Sequence, residues 1–375
     1  MATPPLSKEI ALEALLAWRA HGKSREKAAT ALGIAIPTLQ SRLQKAKLYG
    51  FDAIEIPEGQ KLKGTSTLFD DKGNERLQWV KTTADLDRQL QTIKDACAAM
   101  KSQIGTERRN KSKPHTLSDL LSCYILTDYH LGQLSWGEET GAEWNIQIAE
   151  DLLVGWFKAA IDAAPASEVG VLAQLGDFLH FDSLEAVTPT SRHVLDADSR
   201  YQKIVQVAIR GIRRIVQLLL DKHARVHIIM AEGNHDIMSS VWLRAMLADR
   251  YAEDPRITVD KSHSPYYAYE WGNTSLFWHH GHKKKFAEIS KTFAGLYRDI
   301  FGRTKYSYAH MGHLHHVASK EDGLMIVEQH PTLAAKDAHS TRGGYISNRG
   351  ASVISYHKKY GEVSRCTIRP EMVQQ

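Results

Sequence analysis

Five short polar stretches constrain this chain more than any other feature: Asp128-Tyr129-His130, Gly176-Asp177, Gly233-Asn234-His235-Asp236, His280-Gly281-His282 and Gly312-His313-Leu314-His315. Each follows an apolar run of strand-like composition, in order "CYILT", "EVGVLAQL", "RVHIIMA", "SLFWH" and "YSYAH". So many imidazoles and carboxylates are costly to bury singly, so a stable fold has to bring them together. Asp128 and His130 are two apart, as are His313 and His315, and near a strand end such pairs point to one face. Glycines before Asp177, Asn234 and His313 let the backbone turn sharply and aim each side chain into a shared space. Carboxylate, imidazole and amide oxygen together suit Mn²⁺, Fe²⁺ or Zn²⁺ better than Ca²⁺ or Mg²⁺.

Two more strand candidates, "LMIVE" and "SVISYH", and two long helical patterns, "WNIQIAEDLLVGWFKAAIDA" and "RYQKIVQVAIRGIRRIVQLLLDKH", complete the region 116–375. Strands alternating with helices predict an α/β layered domain. The polar stretches fall just past strand ends, where sheets of this class place their sites.

Taken in order, the five stretches match D-x-H, GD, GNH-[DE], H and GH-x-H, and from Asp128 to His315 the chain resembles the calcineurin-like metallophosphoesterase family. The resemblance implies a layered β-sandwich flanked by helices and a pair of divalent cations, Mn²⁺ first, with Fe²⁺ or Zn²⁺ as alternatives. It implies one metal on Asp128, His130, Asp177 and His315, and a second on Asp177, Asn234, His280 and His313. Asp177 would then bridge ions that in two-metal sites lie ~3.5–4 Å apart. His235 is implied as general acid or phosphate donor, oriented by Asp236. With Asp128 and Asp177 the only ionised ligands, such a site stays positive and favours an anionic phosphodiester substrate. His279, His310 and His316 read as supporting or packing residues, His282 as a possible phosphate contact, and His180 stays outside the core set. The stretch "GDFLHFDS" lacks the arginine of the protein serine/threonine phosphatase branch, which argues against a phosphoprotein substrate.

The first fifty residues have another character. "SKEIALEALLAWRA" has helical apolar spacing with Ser7 as N-cap; Ser24 caps a second helix, Gly33 breaks it, and Pro37 opens a third. Small Ala29 lets helices approach, and Ile34, Leu39 and Leu43 fill the angle between them. The run "AATALGIAIPTLQSRLQKAKLYG" resembles the DNA-binding segment of Fis-type proteins, which implies a small all-α helix-turn-helix domain over 1–50. Thr38, Gln40, Ser41, Arg42 and Lys45 would reach DNA. A three-helix bundle that binds protein is the competing reading.

Residues 51–115 read as a connector. "LKGTSTLFDDKGNERLQWVKT" predicts a β-hairpin. Leu86, Leu90, Ile93, Cys97, Met100 and Ile104 form a short heptad seam, suited to a homodimer through 86–104 or to packing on its own chain. "GTERRNKSKPH" reads as a basic linker. Charge is segregated in the same way: residues 1–115 carry 20 Lys and Arg against 13 Asp and Glu, and the remainder 28 against 30. Of 19 histidines only His21 and His115 lie in the basic part. DNA attraction and metal chemistry are thus expected of different regions.

Three scattered cysteines, Cys97, Cys123 and Cys366, make no disulfide framework, and no eighteen-residue apolar run suggests a membrane span. A cytoplasmic setting is expected. The combined reading is a metallophosphoesterase with a DNA-binding head, a phosphodiesterase or nuclease acting on DNA. At the level of the catalytic motifs it is distantly similar to SbcD-type repair nucleases, and the arrangement resembles that of phage or prophage proteins. The alternatives are a small-molecule phosphatase or phosphodiesterase with a regulatory head, and a non-enzymatic DNA-binding regulator.

Overall fold

The computed structural model describes residues 7–49, 51, 60–69, 75–84 and 116–373, the segments 60–69 and 75–84 by their backbone. The chain divides into two compact units, Met1–Leu86 and Asp87–Gln375. The heptad seam over 86–104 and the basic linker lie outside the described residues.

In the first unit, α1 (Lys8–Ala20) and α2 (Arg25–Ala31) start at their serine caps, and α3 (Ile36–Leu48), which has no side-chain cap, starts with Pro37 in its first turn. Ser7 Oγ accepts from the Ile10 N–H and Ser24 Oγ from the Lys27 N–H, each at 3.4 Å. Gly33 turns the chain between α2 and α3 at φ +61°, a conformation that favours glycine. Ala14, Ala28, Ala29 and Leu39 are buried together where the helices meet. A hairpin of β1 (Gln60–Phe69) and β2 (Glu75–Ala84) lies within the same unit.

The second unit is built on two sheets. One has six strands: β3 (Leu117–Leu126), β4 (Ser167–Gln174), β5 (Arg225–Met230), β6 (Ile257–Val259), β12 (Ala351–His357) and β13 (Gly361–Ile368). Their order is β13-β12-β3-β4-β5-β6, with β3 to β6 parallel. The other has five: β7 (Tyr267–Trp271), β8 (Thr274–His279), β9 (Tyr306–Met311), β10 (Ala318–Glu321) and β11 (Ile326–Gln329), ordered β10-β11-β9-β8-β7.

Alternation along β3 explains the layers. Cys123 and Ile125 join Val171, Trp278, Tyr308 and Ile354 in the core between the sheets. Tyr124 and Leu126 face the other way and pack with α4 (Ile146–Ala163) and α5 (Tyr201–Lys222). Outside the five-stranded sheet, Phe277, Ala309 and Val327 pack on Ile289 and Phe293 of a short helix. The architecture is therefore a layered β-sandwich flanked by helices, as the sequence predicts. The third long helix, α6 (Ile237–Arg250), follows β5. No helix among the described residues is long and apolar enough to cross a membrane.

Candidate metal centre

Parallel pairing places the C-terminal ends of β3, β4 and β5 side by side in one sheet and those of β8 and β9 side by side in the other. The five polar stretches begin just past those ends. Asp128, Asp177 and His280 are buried, at 0 %, 1 % and 0 % exposure. Asp128, His130 and His315 bring potential ligand atoms within 4.8 Å of one another, and so do Asp177, His280 and His313. Asn234 joins the second group, its Oδ1 lying 3.1 Å from His280 Nε2. All seven predicted ligand residues thus meet at one end of the sandwich.

The means of convergence differs from simple strand alternation. Asp128, His130, Asp177, His313 and His315 all have φ between +48° and +76°, and they are five of the seven non-glycine residues in that region among those described. For such residues the left-handed region is sparsely populated and strained. The backbone holds them there by hydrogen bonds between loops: Asp128 N–H to the Gly176 carbonyl, His130 N–H to the Asp177 carbonyl, and the Thr332 hydroxyl to the Asp128 carbonyl at 2.5 Å. Asp128 Oδ2 also accepts from the His313 N–H at 2.8 Å. Asp128 and His130 therefore share a site because each is locally left-handed, not because they alternate on a strand.

The donor atoms fit cations. His280 Nδ1 donates to the Leu175 carbonyl at 3.0 Å, so in the neutral ring Nε2 carries a lone pair. That lone pair faces Asp177 Oδ2 at 3.1 Å, Asn234 Oδ1 at 3.1 Å and Asp128 Oδ1 at 3.9 Å. Acceptors confronting acceptors require a proton or a cation between them. Accordingly, although burial opposes its charge, His280 is pushed up to about 9 by the Asp177 and Asp128 carboxylates. Burial would raise both carboxyls, but the surrounding imidazoles, His315 beside Asp128 and His280 beside Asp177, hold them well below the usual range. On the other side His130 Nε2 and His315 Nε2 face each other at 3.4 Å. Divalent cations would take the place of those protons.

His235 sits beside these groups, its ring edge-on to His130 with centroids 4.7 Å apart. The expected His235–Asp236 pairing does not form. Asp236 accepts from the N–H groups of Asp177 (3.1 Å), Phe178 (2.7 Å), Leu179 (3.1 Å) and Gly233 (3.0 Å), so its carboxylate is committed to backbone. Burial and the Asp177 carboxylate push it up to about 7 despite those donors. What orients His235 is the His180 carbonyl, which accepts from Nδ1 at 2.8 Å and leaves Nε2 as the ring nitrogen for a reactant.

His180, left out of the core set by sequence, belongs to this site in a second way. Its ring Nδ1 lies 3.3 Å from His130 Nδ1, behind the face that points to Asp128 and His315. Thr332 carried no sequence signal, since it acts across 204 positions through one hydroxyl. His279 stacks on Tyr266 at 4.7 Å and His316 is exposed. A further group, His310, Glu328 and His330, is buried apart from these ligands. Its members are already occupied: Arg365 pairs with Glu328 at 2.8 Å, and His310 bonds Tyr356 and His330 at 2.9 Å each.

The five residues expected to reach DNA all lie on α3 of the other unit. Thr38, Gln40, Ser41 and Lys45 are exposed, and Arg42 is half-buried.

No protein-family model matches the chain, and no curated protein does. Among solved structures, the second unit's architecture has likenesses spanning about two thirds of this chain. A predicted phosphoesterase from Streptococcus pneumoniae TIGR4 is 10 % identical with a TM-score of 0.29, covering 67 % of this chain and 99 % of its own. An archaeal phosphodiesterase is 13 % identical with a TM-score of 0.33, covering 66 % and 99 %. Vps29 from Entamoeba histolytica, in complex with zinc, is 10 % identical with a TM-score of 0.29, covering 66 % and 99 %. At such scores the likeness carries no argument about activity, and the function has to come from the side chains.

Proposed function

We propose that the second unit is a metal-dependent phosphoric ester hydrolase of the calcineurin-like type. Asp128, His130 and His315 would hold one divalent cation, and Asn234, His280 and His313 a second, with Asp177 between them. The observation that carries this reading is His280 Nε2, whose lone pair meets three acceptor oxygens and no donor. Two cations bound there would supply charge stabilisation on phosphoryl oxygens and a hydroxide nucleophile at neutral pH. Mn²⁺ is the first choice on ligand chemistry, with Fe²⁺ or Zn²⁺ as alternatives.

The chain's own residues account for the rest of the chemistry. His235, tethered through Nδ1, presents Nε2 to the leaving-group oxygen or to a phosphoryl oxygen. Asp236 keeps Asp177 in place by binding the N–H groups of residues 177 to 179. The buried Asp128 keeps His313 and His315 at the site through its two oxygens.

The substrate we favour is DNA, hydrolysed as a phosphodiester by a cytoplasmic nuclease. What supports this is the exposed polar face of α3, a helix entered through a tight turn at Gly33, in a head whose net charge is positive. Such a head would raise the local concentration of DNA at the catalytic unit. The test is hydrolysis, with Mn²⁺, of linear DNA, single-stranded DNA and bis-p-nitrophenyl phosphate by the full chain and by its Gln40→Ala/Lys45→Ala variant. Loss of DNA cleavage alone supports tethering. Equal effects on all three substrates, or none, would reject it.

A further inference from the structure

Two buried carboxylates cross between the segment carrying Asp177 and the segment carrying Asn234 and His235. Asp236 stands at the start of α6, where an acidic side chain ordinarily accepts from the first N–H groups of its own helix. Its carboxylate turns away instead, to residues 177 to 179. The open end of α6 is capped from the opposite segment. Asp182 Oδ2 accepts from the Met238 N–H at 2.5 Å, and Oδ1 accepts from the Ser239 N–H at 2.7 Å and from the Ser239 hydroxyl. Each segment thus supplies the carboxylate that ties down the other.

We infer that Asp182 is a positioning residue for His235, capping α6 from the Asp177 segment and so fixing where the imidazole stands. This rests on the phosphoesterase reading. The chain path makes the argument. Asp182 lies two residues beyond His180, whose carbonyl holds His235 Nδ1, and its own partners begin three residues beyond His235. His235 is therefore clamped between two bonds to one short segment, and its own N–H donates to Asp177 Oδ1 at 2.8 Å. Release of the outer bond lets the start of α6 move relative to Asp177, carrying the imidazole with it. Asp182 is only 6 % exposed, so water does not readily replace the lost contacts. Displacements of about 1 Å in an acting group can cost on the order of 10²-fold in rate.

The experiment uses the full chain. Asp182→Asn keeps the side-chain shape but turns an amide NH₂ toward an N–H donor. We expect kcat on bis-p-nitrophenyl phosphate to fall at least ~10-fold, with KM and metal content near wild type. Histidine-labelled NMR of the metal-free chain gives a second reading. The Nδ1 proton that His235 donates to the His180 carbonyl, identified by its loss in His235→Gln, should exchange faster in Asp182→Asn. Should that variant not fold, Ser239→Ala removes the hydroxyl's bonds to Asp182 and to the Tyr201 hydroxyl, keeps both N–H bonds to Asp182, and should show a smaller change of the same kind. Unchanged kcat and unchanged proton exchange in the folded variant would overturn the inference, as would a lowered melting temperature alone. A wild-type protein inert toward the phosphodiester would instead reject the phosphoesterase reading, and the proton exchange would still decide what Asp182 does.

Discussion

Gly233 lies against Asp177 so closely that a Cβ at position 233 would overlap both the carboxylate and the amide nitrogen of Asp177. The glycine serves close approach, because its own φ is not in the left-handed region. Gly233→Ala should therefore displace the central carboxylate. We expect stability to fall by about 1–3 kcal/mol from overpacking and bound metal to drop, while Gly295→Ala, in a helix with open space around it, leaves bound metal unchanged and raises stability slightly. Denaturant titration with metal analysis checks both variants.

In the proposed mechanism His235 acts beside the ligands rather than as one of them. His235→Ala should keep its metals and lose on the order of 10²–10⁴-fold in kcat, the usual contribution of a proton-transfer group. Metal analysis and steady-state kinetics on the same preparation separate this from ligand loss. Reduced metal content would instead place His235 among the ligands.

Stability should decline in mild acid for reasons unrelated to the centre. His223 is buried against the Tyr124 hydroxyl and the Ser167 carbonyl, and burial lowers it to about 4 from its usual 6.5. His227 and His330 are likewise lowered to about 4 by burial. Between those values these histidines bind more protons in the unfolded chain than in the folded one, so their contribution to stability is lost as pH falls from about 6.5 to about 4 and levels off below. His223→Gln should flatten that slope in urea unfolding followed from pH 7 to pH 4. An unchanged slope would count against it.

Lys45 is exposed on α3. If the head binds DNA as proposed, Lys45→Ala should weaken binding to all sequences alike and reduce the salt slope by about 1. Fluorescence anisotropy across a salt series reads both quantities. A loss confined to particular sequences would make Lys45 a base-reading residue instead.

The residues that meet at this end of the sandwich were legible because metal chemistry restricts residue types, which made Asp128, Asp177, Asn234, His280 and His313 stand out. The strands that carry them were legible for a similar reason, since their apolar runs are buried on both faces. Other elements gave weaker signals. β13, at a sheet edge, mixes the charged Glu362 and Arg365 with polar and apolar residues and is exposed over its middle, and β6 has only three residues. α6 begins without a cap of its own, because Asp182 supplies one from 56 positions away. The same exchange concealed the role of Asp236, which the resemblance paired with His235. Left-handed backbone at Asp128 is likewise accompanied by partners distant in sequence, Gly176 and Thr332.

In the proposed function Asp177 joins two cations that make the protein a phosphoesterase. The most direct measurement is the metal content of the full chain and of Asp177→Ala after Mn²⁺ loading and desalting, with bis-p-nitrophenyl phosphate turnover on the same samples. The wild-type chain should hold two metal ions, and the variant should lose both metal and turnover. Full turnover by a chelator-stripped Asp177→Ala protein would contradict it.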